Sequence, residues 1–208
     1  LSGVLSARDR RELAIECARR VIGSIPGADV FVVCDDDEVA EFARHLSATA
    51  VRVDVEGLNA ALTAGMPRVL EDRPGQPVIV AHADLPFGER LRDLWSELSP
   101  TWSTSTVVIV PDDEHDGSNV VILGSEIVTR WRFLYGAGSF TAHVAQSRDL
   151  QATMAVVTLV LAIDGDSTQI PTRINSIGDV EEALRKIASD AKVDDCLQSV
   201  EILWTPEE

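Results

Sequence analysis

Aspartates follow two long apolar runs in this sequence. Asp84 comes after residues 78–83, Val-Ile-Val-Ala-His-Ala, and an Asp-Gly-Asp triplet at 164–166 comes after the apolar run 154–163. Such runs are typical of buried parallel strands, and open α/β sheets bind ligands at the carboxyl ends of their strands. Carboxylate oxygens, completed by waters and substrate phosphates, suit Mg²⁺ better than Zn²⁺. The pattern therefore favours one Mg²⁺ site made from Asp84, Asp164 and Asp166.

A lone aspartate after a strand is more often the N-cap of the helix that follows. The Asp-Gly-Asp triplet favours the metal interpretation, because residues two apart on an extended backbone point to the same side. Two like charges held together need a cation or a structural reason.

Residues 136–139, Gly-Ala-Gly-Ser, open a predicted helix over 141–147. Glycines at a helix start let backbone N–H groups approach an anion, so a phosphate or carboxylate could dock there. Glycine also marks helix starts for purely conformational reasons. By the same caution, Asn119 could be only a turn residue and Asn59 only a helix N-cap.

The elements that must position these residues alternate between strands and helices. Ser6 or Asp9 can cap a first helix over 8–22, and the acids at 35–37 are interpreted as the solvated start of a second helix over 38–46. Asp-Gly-Ser-Asn at 116–119 predicts a turn, because Asp-Gly is a strong turn signal, and the chain returns after it as a strand over 120–123. Further strands are predicted over 30–34, 50–53 and 105–110, and further helices over 57–70, 88–98 and 180–191. This rhythm predicts an α/β fold with parallel pairing and right-handed crossovers. With no Pro/Gly/Ser-rich linker, residues 1–208 are expected to form a single domain.

The formal net charge of −16 argues against nucleic-acid or anionic-membrane partners, which need Lys/Arg surfaces. The longest apolar run, 154–163, is about half of a bilayer span. The three cysteines, Cys17, Cys34 and Cys196, follow neither metal nor redox spacing, so buried or idle thiols are expected, as in a reducing cytoplasm. These observations together predict a soluble cytoplasmic protein. Packing or surface roles are expected for His82, His115 and His143.

Five short motifs occur in a defined order: Gly-Leu-Asn-Ala-Ala from Gly57, Ala-Asp-Leu-Pro around Asp84, Gly-Ser-Asn ending at Asn119, Gly-Ala-Gly-Ser-Phe from Gly136, and Ile-Asp-Gly-Asp ending at Asp166. In this order they resemble the 2-phospho-L-lactate guanylyltransferase family, which includes the phosphoenolpyruvate guanylyltransferases of coenzyme F-420 biosynthesis. The resemblance extends from Leu1 to about Ile187.

The resemblance implies a Rossmann-like, GT-A-like nucleotidyltransferase: a three-layer α/β/α domain around a mostly parallel mixed sheet. It would transfer GMP from GTP to a small phosphorylated three-carbon acid and release pyrophosphate. By this resemblance Asp84, Asp164 and Asp166 would hold Mg²⁺. The acid would be bound by Asn119, Gly136 and Ser139, and the nucleotide would lie near Gly57, Leu58 and Asn59.

The family also carries a first strand and a Lys/Arg-bearing loop that grips the triphosphate. Both would precede Leu1, and neither is in this chain. Residues 167–176 are additional to the family's pattern, which passes from the Asp-x-Asp directly into the last helix. A homodimer is expected by fold-level analogy alone.

Two other functions stay open at this point. One is a non-catalytic nucleotide-binding paralogue, and the other is a related nucleotidyltransferase that uses a sugar phosphate or a molybdopterin as acceptor. Among three-carbon acids, phosphoenolpyruvate, 2-phospho-L-lactate and 3-phosphoglycerate differ too little for the sequence to separate them.

Overall fold

A computed structural model describes residues 6–157 and 201–205, which form six α-helices and a seven-stranded mixed sheet. The helices are α1 (Ala7–Ile22), α2 (Asp37–His45), α3 (Leu58–Asp72), α4 (Leu91–Leu98), α5 (Ser125–Val128) and α6 (Ser139–Asp149). The strands are β1 (Asp29–Cys34), β2 (Thr49–Arg52), β3 (Val78–His82), β4 (Thr106–Pro111), β5 (Ser118–Leu123), β6 (Thr153–Val156) and β7 (Glu201–Thr205).

The strands lie in the order β2-β1-β7-β3-β5-β4-β6. Strands β1 and β2 pair in parallel, as do β4 and β6, whereas β7 is antiparallel to both β1 and β3, and β5 is antiparallel to both β3 and β4. Five of the seven described strands therefore run in one direction. The expected α/β class and mixed sheet are confirmed, and the turn predicted before residues 120–123 is present, although it spans residues 112–117. A connection of only residues 112–117 between β4 and β5 is too short for a parallel crossover, so the two strands form a hairpin.

Each face of the sheet is covered by helices, which makes three layers. Alternate residues of β1, β3, β4 and β5 point to opposite faces, as the twofold repeat of a strand requires. One face packs with α1, α2 and α4, and its core includes Val32, Ile79, Val108 and Ile122. The other face packs with α3 and α5, and its core includes Phe31, Val80, Ile109 and Val121.

Two N-caps begin helices where the sequence predicts them. The Ser6 side chain accepts from the backbone N–H of Asp9, and the Asp36 carboxylate accepts from the N–H groups of Glu38 and Val39. Each satisfies amides that a helix N-terminus leaves without partners. The acids at 35–37 are thus a helix start, as interpreted. In the described part of the chain no helix combines the length and the apolar character needed to cross a membrane.

Candidate functional site

Asp84 lies two residues beyond the end of β3, and its side chain is exposed. The residues around it are held in place. Leu85 and Phe87 are buried, at 3% and 8% exposed, and the guanidinium of Arg20 on α1 donates to the carbonyl of Pro86 at 3.3 Å. The apolar run and the proline thus place a solvent-facing carboxylate at the carboxyl end of a buried strand.

The Asp84 carboxylate affects the ionisation of Cys17 on the neighbouring helix α1. The pKa of the Cys17 thiol is raised to about 12, first by burial and next by the Asp84 carboxylate. A thiol with this pKa is protonated at neutral pH and is a poor nucleophile or metal ligand. The prediction of an idle buried thiol is confirmed for Cys17, which is buried with a free thiol.

The turn between β4 and β5 is organised by Asp112. Its carboxylate accepts from the backbone N–H groups of Asp116, at 2.9 Å, and Gly117, at 2.7 Å. Strand β5 begins at Ser118, so Asn119 belongs to the strand rather than to the turn that was its alternative role. The Asn119 amide donates to the carbonyl of Pro111 at 3.4 Å, across the hairpin.

Gly136 and Gly138 adopt backbone conformations that other residues rarely reach, with φ of +123° and +72°. Gly138 is the N-cap of α6, and Ser139 is the first helical residue. The N–H of Ser139 donates to the carbonyl of Gly136 at 3.0 Å, and Ser139 is 2% exposed. A capping role for the Ser139 side chain is therefore excluded, since a glycine occupies that position.

Asp116 joins the β4–β5 turn to the start of α6. Its carboxylate accepts from the N–H of Gly138 at 3.0 Å, and its carbonyl accepts from the N–H of Phe140 at 2.9 Å. With the bond from Ser139 to Gly136, the backbone N–H groups of three successive residues, 138–140, all donate to acceptors within the protein. An anion at this loop would have to be met by other groups, or would have to compete with the Asp116 carboxylate.

His143 on α6 is completely buried and links the same two segments. Its Nε2 accepts from the N–H of Leu134 at 3.2 Å, so its other nitrogen, Nδ1, carries the hydrogen and donates to the hydroxyl of Ser118 at 3.0 Å. Burial first and the nearby His82 second lower the pKa of His143 to about 4, so the ring is neutral at pH 7. The packing role expected for His143 is confirmed.

The end of β3 reaches this network through His82. Its Nε2 lies 3.1 Å from the carbonyl of Ser118, to which it donates, and its ring meets the Tyr135 ring edge-on with centroids 5.1 Å apart. Tyr135 makes a second edge-on contact, with His143, at 5.0 Å. The strand that precedes Asp84 is therefore packed against both segments that carry the expected acid-binding residues.

Asn59 lies at the start of α3, where Gly57 is the N-cap. The N-cap role that was the alternative for Asn59 is therefore wrong. The side chain instead makes two bonds to one residue of a distant segment: its amide donates to the carbonyl of Tyr135 at 2.9 Å, and its oxygen accepts from the N–H of Tyr135 at 2.7 Å.

The structure thus gathers four of the five motifs: the start of α3, the end of β3, the start of β5 and the start of α6. The fifth, with Asp164 and Asp166, lies outside the described residues. Strand β6 is separated from β3 by β5 and β4, about 14 Å across the sheet. Within residues 6–157 and 201–205 no three His, Cys, Asp or Glu side chains come together as a metal site, so the predicted Mg²⁺ site stays a prediction.

Sequence reasoning missed Asp116, Ser118, Tyr135 and Gln146 as parts of this arrangement. Asp116 and Ser118 were interpreted as turn residues, and Gln146 carries no motif. For Tyr135 the signal was its position, directly before the Gly136 loop, but nothing in the sequence points to its partner 76 residues away.

A family profile described as "Guanylyl transferase CofC like" matches residues 1–203. Among individual proteins, the chain is 34% identical over 191 residues to a phosphoenolpyruvate guanylyltransferase of Rubrobacter xylanophilus, a match that covers 89% of this chain and 91% of the relative. It is 29% identical to a 2-phospho-L-lactate guanylyltransferase of Methanocaldococcus fervens, over 73% of this chain and 66% of the relative. A phosphoenolpyruvate guanylyltransferase of Roseiflexus sp. is 30% identical, over 71% of this chain and 65% of the relative.

Proposed function

Since this chain belongs to the Guanylyl transferase CofC like family, we propose that it transfers GMP from GTP to a small phosphorylated three-carbon acid. Phosphoenolpyruvate and 2-phospho-L-lactate are the two candidate acceptors, because the relatives are guanylyltransferases of one or the other acid. The observation that carries the proposal is the family match over residues 1–203, together with a relative of which the chain covers 91%. We also propose that the three-layer fold is that of the Rossmann-like, GT-A-like nucleotidyltransferases. We propose in addition that the protein acts in the cytoplasm.

In the proposed reaction a phosphate oxygen of the acid bonds to the α-phosphorus of GTP. The bond from that phosphorus to the bridging β-phosphate oxygen breaks, and pyrophosphate leaves with the electron pair. A phosphate oxygen is already ionised near neutral pH, so no general base is required. This agrees with a site whose buried histidine, His143, already uses both ring nitrogens in hydrogen bonds.

The protein's part in this reaction is positioning and electrostatic stabilisation. Asp84 is an exposed, hard oxygen donor at a strand end, and it fits Mg²⁺, which it would hold together with Asp164 and Asp166. Bound Mg²⁺ would neutralise the charge of two anions that must approach each other. Asn119, Gly136 and Ser139 would orient the acid, and the start of α3 would lie near the nucleotide.

The test is to incubate the protein with GTP, Mg²⁺ and each acid in turn, and to measure pyrophosphate release. The next enzyme of the pathway should be present, because the guanylylated acid is expected to be unstable. Pyrophosphate formed with one acid and not with a sugar phosphate supports the proposal. Tight GTP binding without pyrophosphate release from any acid would favour the non-catalytic paralogue.

A further inference from the structure

Residues 131–135 form a segment that lies outside the helices and strands of the described structure. Burial alternates along it, as in a strand: Trp131, Phe133 and Tyr135 are buried, whereas Arg132 and Leu134 are exposed. Half-buried backbone outside a sheet must find other hydrogen-bond partners, since an unpaired buried N–H or C=O is costly.

Three side chains supply those partners. The Gln146 amide accepts from the N–H of Arg132 at 3.0 Å and donates to its carbonyl at 2.9 Å. His143 accepts from the N–H of Leu134, and Asn59 makes its two bonds to Tyr135. The segment is thus paired by side chains in the way that a neighbouring strand would pair it.

Asn59 differs from Gln146 and His143 in the helix that carries it. Gln146 and His143 both project from α6, which directly follows the segment, whereas Asn59 projects from α3. Its contact is also the one adjacent to Gly136, the first residue of the loop expected to bind the acid. A shift of Tyr135 would move that loop directly.

The two bonds also constrain what else Asn59 can bind. Its side-chain oxygen and one amide hydrogen are directed at Tyr135 with good geometry, at 2.7 and 2.9 Å. A nucleotide that used the same atoms would have to break this pair and leave backbone groups of Tyr135 without partners.

We propose that Asn59, although it lies in the motif expected near the nucleotide, is a positioning residue for the acid-binding loop at Gly136–Ser139. This inference rests on the proposed function. The start of α3 would then serve both substrates: its backbone would lie near the nucleotide, as the family resemblance implies, and its Asn59 side chain holds the residue before the loop that receives the acid.

The proposal is tested with Asn59→Ala, with Asn59→Asp as a nearly isosteric second variant. The aspartate keeps an acceptor for the N–H of Tyr135 but places a carboxylate oxygen against its carbonyl. Thr63→Ala is the matched control, because Thr63 is exposed on the same helix and its hydroxyl donates to the backbone carbonyl of Asn59 at 2.7 Å. Dissociation constants are measured separately for phosphoenolpyruvate, for 2-phospho-L-lactate and for a non-hydrolysable GTP analogue.

We expect both Asn59 variants to weaken binding of the preferred acid by at least about tenfold, the scale of one or two lost hydrogen bonds, and to change the affinity for the GTP analogue by less than about twofold. Thr63→Ala should change neither. A GTP-analogue affinity that falls in the Asn59 variants while the acid affinity is kept would overturn the proposal.

Hydrogen exchange at the backbone amide of Tyr135 provides a readout that needs no substrate. If Asn59 holds this amide, its exchange should accelerate by at least about tenfold in Asn59→Ala relative to the unchanged amides of β4 and β5. Unchanged exchange would refute the contact itself. If the wild-type protein bound neither acid while Tyr135 still responded, the proposed function would fail and the contact would stand.

Discussion

Asn59 and Tyr135 are 76 residues apart in sequence, and the side chain of the first pairs with both backbone groups of the second, at 2.9 and 2.7 Å. This pair joins helix α3 to the residue before the Gly136 loop. It connects two motifs that resemble a nucleotide-binding and an acid-binding segment.

Asp84→Asn should lower turnover by at least about a hundredfold, because the amide keeps the size of the side chain but removes the charge expected to hold Mg²⁺. Asp84 is exposed, so the melting temperature should change little. Steady-state pyrophosphate release at saturating GTP and acid measures the effect. An active Asp84→Asn protein would remove Asp84 from the site.

Ser139→Ala should weaken acid binding by about ten- to a hundredfold, since a hydrogen bond from the hydroxyl to a charged group is worth roughly 1.5–3 kcal/mol. GTP binding should be unchanged. Calorimetric titration with each acid measures the effect.

Ser147→Ala is the control for Ser139→Ala. Ser147 is also buried on α6, and its hydroxyl donates to the carbonyl of His143 at 2.9 Å, away from the Gly136 loop. Its loss should lower stability by about 1 kcal/mol and leave acid binding intact. If Ser139→Ala and Ser147→Ala both lowered stability and neither weakened acid binding, Ser139 would be a packing residue.

The sequence was sufficient to predict the strands and helices that depend on local signals. The apolar run before Asp84 predicted β3, and the Ser6 and Asp36 caps marked the starts of α1 and α2. The Asp-Gly pair at 116–117 also predicted the turn before β5, but not where that turn ends, since Ser118 and Asn119 already belong to the strand.

The candidate site was predictable only as separate pieces. Strand ends and glycine turns point to Asp84 and Gly136, since their chemistry is local. The contacts of Asn59 with Tyr135 and of Asp116 with Gly138 are tertiary, and polar side chains such as these are equally common in caps and turns. Their partners depend on which elements the sheet order brings together.

His143 should make stability depend on pH in the mildly acidic range. Its pKa is about 4 in the folded protein and about 6.5 when unfolded, so the unfolded state binds more protons between these values. The stabilising contribution is complete above pH 6.5 and is lost as the pH falls towards 4, by up to roughly 3 kcal/mol. Denaturant unfolding of wild type and of His143→Gln at several pH values measures the difference. Wild type and His143→Gln share all other titrating groups. If their free energies of unfolding changed with pH in parallel, the prediction would be contradicted.

Asp116→Asn should strengthen acid binding. The Asp116 carboxylate accepts from the N–H of Gly138, so it places a negative charge at the loop that is expected to receive an anion. The amide oxygen of asparagine can keep this hydrogen bond while the charge is removed. Because Asp116 is exposed, the gain in acid affinity should be modest, up to about fivefold at low salt, and should decline as salt screens the repulsion.

Asp113→Asn is the control for Asp116→Asn, since Asp113 is an exposed acid of the same turn. Its effect should be clearly smaller. Weaker acid binding in Asp116→Asn would instead mean that the ionised carboxylate is required to hold Gly138 in its binding geometry.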